Sequence, residues 1–448
     1  MDYKSILAIG IGLTLSTTVS IHAQSRHISQ PNLSAAAADT AGYNRFRFGG
    51  YGEMVASFKD YGINRFAGTS TGNTKTHRNA ISIPRFIAAY DYKFTSNWIL
   101  GAEIEFESGG TGTAVELENS ENGEYETEIE KGGEVALEQF HITRLIAPQF
   151  NVRAGHMIVP VGLTNSHHEP INFFGTVRPQ SETSLLPSTW HETGIEFFGS
   201  FGRRYASFDY QLMIVAGLNA NGFNRDEWVA GGKQGFFEED NFTSPGYVGR
   251  VDYTGVPGLR TGVSLYYCRD AGSNSDKEHT YSSIGRIPVV IGTWDAQYKS
   301  RTITTRANIT YGYVGNTAAL SEANRMLSNK SPYSRLIPIA KNALSYGAEI
   351  GVNLNTLITV SCPTIYPFAR YEYYNPQYRG QGRATMDRRL EVSQWQIGLN
   401  WFALPYLVMK ADYTTRQIGT SKVFGKGVYN SENEFSIGIA YIGWFLKK

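Results

Sequence analysis

Residues 303–314 read ITTRANITYGYV, and their alternation decides the fold class. Ile303, Thr305, Ala307, Ile309, Tyr311 and Tyr313 fall on one side of an extended chain, while Arg306, Asn308 and Thr310 fall on the other. ALSYGAEIGVNL (343–354), WQIGLNWF (395–402) and YLVMKADYTTR (406–416) repeat the pattern. A soluble sandwich also alternates, so the spacing of the segments has to choose. About 16 such segments of roughly 10–15 residues occur, longer than ordinary strands.

The links between segments alternate in length. Short ones fall near Thr95–Asn97, Ala147–Gln149, Phe201–Arg203, Gly255–Gly258, Lys299–Ser300 and Ala403–Pro405, with a somewhat longer one at Thr356–Pro363. Tyr61–Asn79, Leu218–Ser244 and Asn316–Ile339 are long and polar. Short turns at one end and long loops at the other predict an all-β fold, a transmembrane antiparallel β-barrel of about 16 strands. The C-terminal EFSIGIAYIGWFLKK (434–448) reads as its closing strand.

Composition agrees. Charged residues are 18% of the 448, against about 25% in soluble domains. The net charge of +1 gives no reason to expect a nucleic-acid partner. Residues 1–23 have the layout of a cleaved signal peptide, with Lys4, an apolar run and Ala23. The predicted organisation is signal 1–23, periplasmic linker 24–42 and barrel 43–448. The location is the outer membrane of a Gram-negative bacterium, with lipid and lipopolysaccharide as neighbours.

VELENSENGEYETEIEK (115–131) predicts a two-stranded ribbon, with Glu121-Asn122-Gly123 as its hairpin loop. That register sets Glu116 and Glu118 against Glu128 and Glu126, a solvated face or one that binds divalent cations or a neighbouring subunit. Cys268 and Cys362 fall at opposite ends of the barrel and are predicted to be free, because a disulfide needs Cα atoms within about 7 Å.

The third long loop, Gly162–Ser188, is expected to fold into the lumen. NSHHEPINFF…STWHETG gives it His167, His168 and Glu169, with His191 and Glu192 just beyond. These side chains and Trp190 are expected to anchor the loop. Arg178 and Glu182 join them as candidates for the constriction. No HExxH or CxxC spacing occurs and no nucleophile elbow, so neither a metal nor a catalytic site is expected.

GHMIVPVGLTNSHHEP (155–170) followed by RPQSETSLLPSTWHETG (178–194) resembles the phosphate-selective porin O/P type family, in its Bacteroidetes-like members. The resemblance implies a homotrimeric porin of 16 strands per monomer, passing small solutes or ions, with anions such as phosphate as cargo, no cofactor and no enzymatic activity. Alternation gives Arg85, Arg153, Arg250, Arg306, Arg370, Lys410 and Arg416 as lumen-lining bases. The inward set is mixed, since Glu53, Glu103, Glu105, Asp252, Asp295, Glu349, Glu372 and Asp412 share it. A ligand-binding or adhesive barrel with a plugged pore, or a barrel hydrolase using the His/Glu cluster, are the alternatives.

Overall fold

The computed structural model describes residues 44–61, 76–108, 113–118, 126–131, 134–234, 239–275, 281–325, 338–358, 364–382, 386–419 and 429–448. The signal, the linker, the ribbon tip at 121–123 and Cys362 lie outside them.

The strands are β1 (Phe46–Tyr61), β2 (Thr76–Thr95), β3 (Trp98–Glu107), β4 (Thr113–Glu118), β5 (Glu126–Lys131), β6 (Glu134–Ala147), β7 (Phe150–Ile158), β8 (His191–Arg203) and β9 (Ala206–Val215). They continue as β10 (Gly246–Tyr253), β11 (Leu259–Cys268), β12 (Val289–Lys299), β13 (Ile303–Val314), β14 (Asn342–Val352), β15 (Thr364–Arg379), β16 (Val392–Leu404), β17 (Leu407–Gly419) and β18 (Tyr429–Lys447). Among the described residues, 16 of these form one closed antiparallel barrel, and β4 with β5 make a separate ribbon. β18 closes on β1 through pairs such as Arg47↔Lys447 and Ala56↔Ile437.

Closure satisfies the backbone within the wall, which is what a span through lipid requires. The outer face is apolar: Ile309, Ile350, Trp395, Ile397, Met409, Tyr413 and Ile437 are 40–57% exposed or close to it. The alternate residues are buried and polar, as with Arg306, Glu349, Gln396 and Asp412. No described helix is long and apolar enough to cross a membrane; the strands do so. A closed barrel with this polarity is an outer-membrane protein of a Gram-negative envelope.

Several boundaries differ from the sequence expectation. The turn placed at Phe201–Arg203 falls instead at Arg204 and Tyr205, because Arg204 adopts a left-handed backbone (φ 52°) and Arg203 pairs with Ala206. The first long link is shorter than Tyr61–Asn79, since β1 and β2 stay paired as far as Tyr61↔Thr76. β7 stops at Ile158, and Pro160 follows, which cannot donate to a ladder. The third loop therefore runs 159–190, and His191 and Glu192 open β8 rather than belonging to the loop.

In the ribbon, Glu116 pairs with Glu128 and Glu118 with Glu126, while Val115 meets Ile129. Cys268 is unbonded and buried. One irregularity was not foreseen. β3 pairs Glu103 with Gln139 and Ile104 with Leu137, so Glu138 is an extra residue in β6. This bulge buries Glu138 and Gln139 together, where plain alternation would turn one of them outward.

Candidate functional site

The lumen loop starts from its own apolar footing. Val159, Val161, Leu185, Leu186 and Trp190 are buried in one cluster with Met213, Val215 and Tyr266. Two single-turn helices, α1 (Leu163–Ser166) and α2 (Gln180–Thr183), face each other across the loop. Glu182 ties them, accepting from the backbone N–H of Leu163 (3.1 Å) and Thr164 (2.6 Å). Gly162 adopts φ 83°, and a Cβ there would lie 2.6 Å from the Glu182 carboxylate, so the approach needs glycine. Burial, then the neighbouring Asp295, push the Glu182 carboxyl up to about 7. Asn165 closes the loop's base, accepting from Trp190 N–H at 2.6 Å and donating to Trp190 O.

From this footing the loop reaches three sectors of the wall. Arg250 donates to Gly162 O, and Arg260 Nη1 lies 3.2 Å from His167 Nε2. Further round the wall, Lys410 of β17 donates to the carbonyls of Pro170, Phe173 and Gly175, and Arg306 of β13 to that of Asn172. Asp412 accepts from Thr176 N–H, Glu372 from Ser181 N–H, and Arg416 donates to Gln180. Phe174 stacks on Phe368 with centroids 5.5 Å apart.

The third sector is at His168. Its Nδ1 donates to Asn165 O at 3.0 Å, and its Nε2 lies 2.8 Å from Tyr51 Oη and 3.1 Å from Glu138 Oε1. Burial alone would lower this imidazole, but Glu138 overrides it and pushes His168 up to about 9. Glu169 is fully buried and accepts from Asn172.

The remaining candidates, Arg178, His191 and Glu192, make contacts of their own. Arg178 is half-buried and donates to the hydroxyls of Ser188 (2.8 Å) and Thr189 (3.1 Å). Lys233 Nζ donates to Thr189 O and to His191 Nε2, while His191 Nδ1 meets His156. Glu192 accepts from Trp190 Nε1 at 2.8 Å and from Gly217 N–H at 2.6 Å.

The basic residues expected along the bore are largely taken up within the wall. Arg85 pairs with Glu105 and Glu138, and Arg153 with Glu196. Arg250 sits between Asp252 and Asp295, and Arg306 and Arg370 share Glu349. These five, with Lys410, are at most 7% exposed. Buried cations need such partners, because an unpaired one would pay its full desolvation cost. Arg416, paired with Glu432 at 3.6 Å, keeps more contact with solvent.

Sequence reasoning did not single out Tyr51, Glu138 or Lys233. The polar doublet Glu138-Gln139 in an alternating strand was the one available signal, since it marks a bulge. Spacing also could not show that His168 meets Glu103 and Glu138. One ligand atom from each of the three lies within 4.8 Å of the others.

No protein-family model matches the chain. An uncharacterized protein of Aquifex aeolicus (strain VF5) is 24% identical over 344 residues, covering 74% of this chain and 70% of that one. Among solved structures, OmpF of Salmonella typhi, in complex with daunomycin, is similar with a TM-score of 0.54 at 11% identity, over 89% of this chain and 98% of that one. The outer membrane channel DcaP of Acinetobacter baumannii is similar with a TM-score of 0.51 at 10% identity, over 90% and 98%. At these identities the likeness is one of fold: this chain has the architecture of the outer-membrane porins.

Proposed function

We propose that the chain is a passive diffusion channel for small hydrophilic solutes or ions, with the loop 159–190 setting its bore. The observation that carries this reading is the loop's placement, held inside a closed barrel by contacts to β1, β6, β10, β11 and β13–β17. A side chain so fixed narrows the lumen without depending on loop mobility.

The passage runs beside the outer face of the loop. Val177 is 40% exposed there and Arg178 half-buried, and Lys59, Glu434, Arg416 and Glu432 on β1, β17 and β18 keep partial exposure. Arg178 and Lys233 both converge on Thr189. We place these two cations at the constriction, where they favour small anions, and the resemblance to phosphate-selective porins makes inorganic phosphate the first cargo to test. The same resemblance assigns a homotrimer and a non-enzymatic role, with lipid and lipopolysaccharide around the outer face.

The second reading is a plugged, ligand-binding barrel, favoured by the near-complete burial of Arg250, Arg370 and Lys410 around the loop. Single-channel recording in planar bilayers separates the two. The channel predicts ohmic steps that grow when Asn172–Ser181 is deleted. Correctly folded protein without conductance would establish the plugged barrel instead.

A further inference from the structure

We infer that Glu103 of β3, Glu138 of β6 and His168 of the lumen loop form a binding site for one divalent transition-metal ion, of the zinc or manganese kind, which fastens the loop to the barrel wall.

Each donor suits that role. His168 Nδ1 donates to the Asn165 carbonyl, and since a carbonyl can only accept, Nε2 is the nitrogen turned toward the carboxylates. A metal-binding histidine is usually oriented in this way, by a second hydrogen bond that fixes its ring. Its Nε2 is already 3.1 Å from Glu138 Oε1, the edge length of two ligands on one ion about 2.0–2.2 Å from each. Glu138 reaches this point through the bulge in β6.

Glu103 supplies the independent observation. It is 4% exposed, and its Oε2 has no hydrogen-bond partner among the described residues. A buried carboxylate oxygen left in that state is desolvated without a compensating bond. Charge points the same way. Glu103, Glu105, Glu138 and Glu169 gather about Arg85 and His168, so the cluster is short of positive charge when its carboxyls are ionised.

Arg85 keeps its bond to Glu138 and does not reach Glu103's open oxygen in any described contact. Mixed imidazole and carboxylate donors select zinc, manganese or iron(II) over calcium and magnesium. On binding, the ion replaces the proton that His168 Nε2 shares with Glu138, and that proton leaves to solvent. With two wall ligands and one loop ligand, the ion acts as a clasp. This assignment does not depend on conduction.

Equilibrium dialysis of the folded, tag-free barrel in detergent against zinc chloride, and separately manganese chloride, tests it, with metal counted by mass spectrometry. We expect about one ion per chain, retained after removal of free metal. Glu103→Gln and His168→Gln should each weaken retention at least about tenfold, and His156→Gln, at the other histidine pair, should not. Glu103→Gln keeps the shape of the side chain, and heat-modifiable migration on gels verifies its folding. Cobalt absorption of the unaltered protein gives a readout that needs no variant. Retention of neither metal, or retention indifferent to both Glu103→Gln and His168→Gln, overturns the site.

Discussion

Lys410 Nζ lies 2.8 Å from the carbonyl oxygen of Phe173, a residue 237 positions earlier in the chain. The same ammonium bonds to Pro170 O and Gly175 O and sits 4.3 Å from the Phe173 ring centroid. One strand side chain thus satisfies three carbonyls of a loop that has no ladder of its own. Hydrogen bonds to charged groups contribute about 1.5–3 kcal/mol each. Lys410→Met keeps the length and removes all three. We expect the loop to be cleaved within 159–190 by added protease at least tenfold faster, with the barrel intact on gels. Unchanged cleavage would mean that the loop is held without Lys410.

The second prediction concerns space. A Cβ on Gly351 would stand 2.2 Å from Phe174 Cζ, and Phe174 is itself stacked on Phe368. Gly351→Val therefore pushes the ring out of its seat, at about 1–3 kcal/mol for an overpacked contact. Protease cleavage of the loop should rise. Adding Phe174→Ala should reverse much of the rise, because the clash disappears with the ring. A double variant as sensitive as the single would place the fault in the strand instead.

The loop's hold should also depend on pH. His168 is pushed up to about 9 from an ordinary 6.5, so its contribution is complete below about 6.5 and is lost as pH rises through 9. Glu138 is the carboxylate that keeps the proton on His168. Glu182 is pushed up to about 7, so the folded loop holds a proton that the released loop gives up above about 4.5. Its contribution falls between those values and is then constant. Both slopes have the same sign, each on the order of 3 kcal/mol. In EDTA, loop protection should decline from pH 5 to 9.5. Glu182→Gln should flatten the lower part of the profile and His168→Gln the upper part. Protection that rises with pH would contradict both assignments.

The barrel was legible because its signal is local. Period-two alternation at Ile303–Val314 or Trp395–Trp401 needs no knowledge of partners, and short turns alternating with long links fix the up-and-down order. The loop's inward course could be expected from its rank and its aromatics. Its destinations could not. Lys410 meets Phe173, and Arg306 meets Asn172, across more than a hundred residues, and nothing in either segment encodes the other. Glu138 escaped notice for a different reason: a bulge shifts alternation by one residue, and a simple count assigns that residue to the wrong face. Counting the bases named as a lumen ladder could not reveal that Glu349 serves both Arg306 and Arg370.

The last prediction follows from that pairing. Because Arg85, Arg153, Arg250, Arg306 and Arg370 are each set against carboxylates, their fields are largely cancelled at the passage. Selectivity then rests on few groups, and Arg178 is the one that stands half-buried on the loop's outer face with hydroxyl partners. Arg178→Glu reverses that charge. In a tenfold salt gradient the reversal potential should move toward cation preference by tens of millivolts. Arg153→Gln, at a site buried and paired with Glu196, should move it far less. Phosphate added to the bath should reduce chloride current in the unaltered protein, and reduce it less in Arg178→Glu. If Arg178→Glu leaves the potential where it was, the narrowest charged point lies elsewhere, and the Lys59, Glu434 and Arg416 side of the lumen becomes the next place to substitute.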